Sequence, residues 1–187
     1  MSDSISVLVY DLPSENYRVI QNSSFYDRVR ALRVYAITKL HGLGVQCTES
    51  VILVSPSNMS RVQDIINDIM VRYSDVKREM EYHGIFLEFK PIIKVLSLTQ
   101  QQTETFIELA RRSLIRRIDE AIGRASRLLE DIELIVEEEK RRRIRYQTTQ
   151  TIKEWSTILD FARELGIDVT REVEYLIEVL ERIIERC

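Results

Sequence analysis

The residues in this chain best suited to chemistry are its arginines. The run Glu137-Glu138-Glu139-Lys140-Arg141-Arg142-Arg143-Ile144-Arg145 follows three acids with five cations in six positions. Lys140, Arg141, Arg142, Arg143 and Arg145 at a helical tip would present N–H donors to phosphate oxygens, and Tyr146 stands next to them to stack on a base. The same spacing has a second consequence. Glu137–Arg141, Glu138–Arg142 and Glu139–Arg143 are i,i+4 pairs in the acid-first order, so the run can also neutralise itself at solvent. Cations near a helix C-terminus would complement the helix dipole as well.

A second cluster comprises Arg111, Arg112, Arg116, Arg117, Arg124 and Arg127, with Asp119 and Glu120 inside its span. Fewer of these have an acid placed one turn ahead, so they form a second candidate polyanion surface. Arg28, Arg30 and Arg33, on an earlier helix, could extend it. Solvated, self-paired helix faces are the competing reading for both clusters.

Asp11 ends the first apolar run, where a strand-end carboxylate can serve in acid–base or metal chemistry. One carboxylate does not hold Mg²⁺ by itself. Glu15 and Glu49 are the acids available to help, and a dimer that brought two Asp11 side chains together would enrich the site. Ahead of Leu12-Pro13, the aspartate equally serves to shape a turn. His41 and His83 both precede glycine at expected helix ends, where capping accounts for them. No glycine-rich phosphate loop, zinc spacing or nucleophile–base set is present, so no catalytic residue is expected.

Composition narrows the classes. With 44% apolar and 30% charged residues, the chain reads as globular and soluble rather than disordered. A net charge of -3 gives no global field for nucleic acid, so any binding must be local. Cys47 and Cys187 have no metal-ligand spacing and suit a reducing compartment. The apolar run Ile5–Tyr10 after Ser2-Asp3-Ser4 is too brief for a secretory leader, and no stretch approaches 18 apolar residues. A cytoplasmic protein with no membrane partner is expected.

All three prolines (Pro13, Pro56, Pro91) lie in the first half, which divides the chain. Residues 1–98 alternate short β-rich runs with helical ones. A strand over 5–10 is followed by a polar loop over 14–23, with Ser23 or Ser24 as N-cap. The helix over 25–41 is expected to end at Gly42 and Gly44. Val45–Ser55 is long enough for a hairpin, Ser57 or Asn58 caps a helix reaching Tyr82, and β runs follow at 85–89 and 92–98. This order favours a sheet with helices on one face, as in ferredoxin-like domains.

Residues 99–187 read as helix throughout, starting at Thr99 or Thr103. Leu114, Ile118, Ala121, Ala125, Leu128, Ile132 and Ile135 keep a heptad stripe suited to an antiparallel bundle or coiled coil. A helix over about 102–145 would be about 66 Å long. A turn is expected in Tyr146–Thr149, then helices over about 150–165 and 170–186, capped by Asp168 or Thr170. Trp155 is in phase with Ile152, Ile158 and Leu159 and reads as core. The expected fold class is α+β: a ferredoxin-like domain (1–98) followed by a helical bundle (99–187).

Val7-Leu8-Val9-Tyr10-Asp11-Leu12-Pro13, the helix 25–41, Gly44-Val45-Gln46 leading to Ser50–Val54, the helix from Ser57 and the strand from Ile85 carry a resemblance. This half of the chain resembles the ferredoxin-like superfamily that includes the small CRISPR adaptation protein, chromate-resistance regulator N-terminal domains and phenylacetate-type repressors. In the CRISPR group the strand-end aspartate, matching Asp11, is linked to metal-dependent nuclease activity, and the dimer touches DNA. The chain departs from that group in extra residues between Gln46 and Ser50, a long second helix and the helical tail. The tail is closer to the chromate-resistance layout, for which nuclease chemistry is not implied.

The expectation is therefore a non-enzymatic, cytoplasmic, homodimeric protein acting as a nucleic-acid-associated or regulatory scaffold, with DNA or RNA on its arginine faces. The alternatives are a protein-interaction module that uses the helical arm without nucleic acid, and a metal-dependent nuclease using Asp11. Mg²⁺ is expected only for the last.

Overall fold

The computed structural model describes residues 5–21 and 23–187. Residues 1–4, ahead of the first strand, and Asn22, in the polar loop, lie outside the described residues. The chain divides into two compact units between Thr103 and Glu104.

The first unit holds β1 (Ser6–Asp11), α1 (Arg18–Gln21), α2 (Tyr26–His41), β2 (Gly44–Thr48), β3 (Val51–Val54), α3 (Met59–Tyr82) and β4 (Ile92–Ser97). The sheet order is β2-β3-β1-β4, and every neighbouring pair is antiparallel. This is the split β-α-β-β-α-β arrangement of ferredoxin-like domains. Period-2 alternation on the central strands builds the core. Leu8 pairs with Ile52, and both join Tyr10 and Val54 in one cluster. α2 adds Val29, Leu32, Ala36 and Leu40 to this cluster, and α3 adds Val62, Ile69, Tyr73, Val76 and Met80. Each such fully buried aliphatic side chain contributes about 1.5–3 kcal/mol.

Local chemistry explains the boundaries. The Ser23 hydroxyl donates to the Ile20 carbonyl at 2.9 Å and accepts from the Phe25 N–H at 3.2 Å, closing the turn ahead of α2. α3 ends at Gly84, whose φ of 77° lets the Ile85 N–H reach the Met80 carbonyl at 2.9 Å. Gly44 does not end α2; it opens β2, where an added Cβ would collide with the Leu53 carbonyl. Part of the expected loop is the short helix α1. The run 85–89, expected as a strand, pairs with none. Its alternation instead puts Ile85, Leu87 and Phe89 against the core, Phe89 meeting the Tyr73 ring at 5.2 Å. Pro91, which has no N–H to donate, precedes the first ladder residue.

The helical stretch begins with a capping box. Gln102 Oε1 accepts from the Thr99 N–H at 2.9 Å, and Thr99 Oγ1 accepts from the Gln102 N–H at 3.4 Å. α4 (Gln100–Asp131) runs across the division. In the second unit a 3-10 turn (Ile132–Leu134), α5 (Glu138–Glu164) and α6 (Thr170–Arg186) follow it. Buried stripes are Ala110, Leu114, Ile118, Ala121 and Ala125 on α4, and Trp155, Leu159 and Ala162 on α5. α6 contributes Val173, Leu176, Leu180 and Ile183. Gly166 (φ 71°) ends α5, with the Ile167 N–H on the Ala162 carbonyl at 2.8 Å. Asp168 then accepts from the Thr170 N–H at 3.4 Å to start α6.

The single helix expected over 102–145 is broken. Ile135 turns extended (ψ 103°), as does Glu137 (φ -72°, ψ 115°), and α5 starts at Glu138. The acids that looked like side-chain partners form a first turn, where the dipole favours them. The turn expected in Tyr146–Thr149 is helix. Thr149 and Thr151 hydroxyls donate to the Arg145 and Gln147 carbonyls at 2.8 and 3.0 Å, which accommodates them mid-helix.

Candidate nucleic-acid interface

The eleven cations of the two clusters lie on α4 and α5, in the second unit. On α4, with 3.6 residues per turn, Arg112, Arg116, Arg117, Arg124 and Arg127 share one arc, flanking or opposing the buried stripe. Arg111 falls outside that arc. Two members are occupied. Arg112 Nε pairs with Glu108 at 2.7 Å, and Arg127 Nε donates to the Gly123 carbonyl at 3.1 Å. Arg117, half-buried, lies over the Trp155 ring at 5.7 Å from its centroid. Its pKa is lowered by desolvation, against which the Glu120 carboxylate acts. Glu120 stands one turn from both Arg116 and Arg124 and approaches neither as an ion pair, so it dilutes the positive arc.

On α5 the cations occupy the first two turns, not the last turn of a helix as expected. None of the expected i,i+4 pairs forms among the described residues. Lys140 takes Glu137 at 2.6 Å, three residues away, and Arg141 Nε donates to the Ile135 carbonyl at 2.7 Å, fastening the helix start to the preceding turn. Arg142, Arg143 and Arg145 make no ion pair or hydrogen bond among the described residues, and all three are exposed. Arg142 and Arg143 precede Tyr146 by four and three residues, so the three share the face opposite Thr148 and Trp155. Tyr146 is 66% exposed between them. Two free guanidinium groups beside an open phenol ring are what a phosphate backbone and an unstacked base require.

In the first unit, Arg28 is paired with Glu79, so it is not free for a polyanion. Arg33 is partly buried, its Nε without a partner among the described residues. Asp11 is exposed at the end of β1 and lines a groove of about 410 Å³ with Tyr17, Glu88, Lys90 and Ile92. Glu88 shares that groove; Glu15 and Glu49 do not line it. No group of three His, Cys, Asp or Glu placed to hold a metal occurs among the described residues. His41 does more than cap. The Tyr10 hydroxyl gives its proton to the Glu49 carbonyl at 2.7 Å, so at 2.9 Å it accepts from His41 Nε2, tying the end of α2 to β1.

Sequence reasoning did not find the Arg117–Trp155 contact or the place of Thr148. A signal existed: Thr148 and Trp155 are seven apart and so share one helical face. The turn expected at 146–149 hid it. Comparisons with protein-family models, curated proteins and solved structures find no match.

Proposed function

We propose that this chain is a cytoplasmic, non-enzymatic nucleic-acid-associated scaffold that contacts DNA or RNA through α5. The observation that carries the reading is the group Arg142, Arg143 and Arg145: exposed, without acid partners among the described residues, and set around Tyr146. Arg116 and Arg124 on α4, also without acid partners among the described residues, add to the surface. Single strands are the preferred substrate, because the ring of Tyr146 stacks only on a base that is already unstacked.

Homodimerisation belongs to the same proposal. β4 is the outer strand of the sheet, regular along its whole length, with Ile92 and Leu96 about half exposed. Such an edge invites pairing, and a second copy offers the same strand in antiparallel register. The opposite edge, β2, carries a bulge between Gln46 and Thr48 that disfavours it.

The test is fluorescence anisotropy with labelled single- and double-stranded DNA and RNA across a salt series, with light scattering for mass. Salt-sensitive binding, tighter for single strands, supports the reading. No binding at low salt removes it. A protein-docking arm then takes its place, for which Leu134 (79% exposed) and Val136 (91% exposed) at the α4–α5 turn are the specific observation.

A further inference from the structure

The second unit contains a groove of about 400 Å³ bordered by α4, α5 and α6, which shares only Arg124 with the polyanion reading. At about 30 Å³ per water-sized volume, it has room for roughly a dozen heavy atoms. Its walls differ in chemistry. Leu128, Ile144, Leu176 and Leu180 supply branched aliphatic surface, and Trp155 an aromatic one. Ala121 and Ala125 keep the α4 wall low, since neither side chain extends past Cβ.

The polar lining is concentrated on Arg124, Gln147, Thr148 and Thr151. Arg124 is a cation without an acid partner among the described residues. Thr148 is only 5% exposed, and its hydroxyl meets no hydrogen-bond partner within the described residues. That leaves the hydroxyl available to a ligand in the groove it lines, whereas its helical neighbours Thr149 and Thr151 satisfy theirs on backbone carbonyls. The Thr151 hydroxyl, having donated to Gln147, keeps acceptor capacity only. One guanidinium, one free hydroxyl and one amide beside an aliphatic wall match a single negative charge on an apolar chain.

We infer that this groove binds a small amphipathic carboxylate, its anionic end on Arg124 and Thr148 and its chain along Leu128, Ile144, Leu176 and Leu180. A monoanion is specified over a dianion because Arg124 is the only cation in the lining. The inference is independent of nucleic-acid binding: a chain that ignores DNA and RNA would still bind the carboxylate.

Trp155 is the only tryptophan and lines the groove, so its emission reports occupancy directly. Full-length protein titrated with octanoate, of about ten heavy atoms, should show a saturable change with a midpoint of about 1 mM or below. Octylammonium should give none, and 1-octanol a midpoint at least about ten-fold higher. Arg124→Gln should weaken octanoate about ten-fold or more, and Thr148→Val by several-fold, with circular dichroism unchanged. Arg171→Gln removes the same charge on α6 outside the lining and should leave binding as it was. No saturable change overturns the inference. So does equal binding of the three octyl probes, or equal weakening by Arg124→Gln and Arg171→Gln.

Discussion

Arg117 lies over the face of Trp155, 5.7 Å from the ring centroid, and so joins α4 to α5 across the helical unit. Burial disfavours its charge, which the π-face and the Glu120 carboxylate compensate. Arg117→Ala should destabilise the unit by about 1 kcal/mol and shift Trp155 emission, as read by urea unfolding followed through that tryptophan. An unchanged midpoint would mean that the contact contributes nothing.

The α4–α5 break makes a discriminating prediction. In one continuous helix Ile132 and Val136 would be i,i+4 neighbours on the apolar stripe, and truncating either would cost similarly. In the observed fold Ile132 is fully buried and Val136 is 91% exposed. Ile132→Ala should therefore cost about 2–4 kcal/mol. Val136→Glu should stay within about 0.5 kcal/mol. Comparable losses for the two would restore the long helix.

That break also marks how far the sequence is legible. Strand–helix alternation, the hairpin and the start of the helical half follow from proline placement, β-branched runs and the capping threonine Thr99, all local signals. The break has no glycine or proline, and the heptad pattern continues through Ile135, so periodicity alone runs straight across it. The available clue was Glu137–Glu139, which suits a first helical turn as well as it suits i,i+4 pairing. Likewise 85–89 has strand periodicity because one side is buried, and pairing is a tertiary choice that the pattern does not record. The cations of the candidate interface were legible as residues. Which of them are free was not, since Arg141 and Arg127 are held by backbone carbonyls.

Gly44 is required by proximity rather than by an unusual φ. A Cβ there would overlap the Leu53 carbonyl and lie 2.8 Å from the Ser55 nitrogen. Backbone atoms cannot yield as a flexible side chain would, so Gly44→Ala should part β2 from β3. A loss of about 2 kcal/mol or more is expected in thermal unfolding. A variant of wild-type stability would show that the hairpin relaxes at little cost.

Cys47 and Cys187 should react differently with a thiol reagent. Burial pushes the Cys47 thiol from 9.0 up to about 11. The folded form therefore holds that proton more tightly than the unfolded form. The resulting stability is fully present below about pH 9 and is lost as pH rises toward 11. At pH 8 a disulfide reagent should label Cys187 quickly and Cys47 only after unfolding. Fast labelling of both in the native protein would contradict the burial of Cys47.

The last prediction separates phosphate contact from base stacking on α5. Each guanidinium that displaces a counterion adds about 0.7 to the log–log salt slope on single strands and about 0.9 on duplex. Replacing Arg142, Arg143 and Arg145 together by Gln should lower the slope on both substrates, because phosphate contacts ignore base pairing. Tyr146→Ala should leave the slope alone and cost single-strand binding about 1–3 kcal/mol, while duplex binding barely moves. The two variants thus act on different measured quantities. Loss of affinity from the triple variant with an unchanged slope would mean that these arginines meet something other than phosphate. The exposed Leu134 and Val136 beside them would then be the surface to pursue.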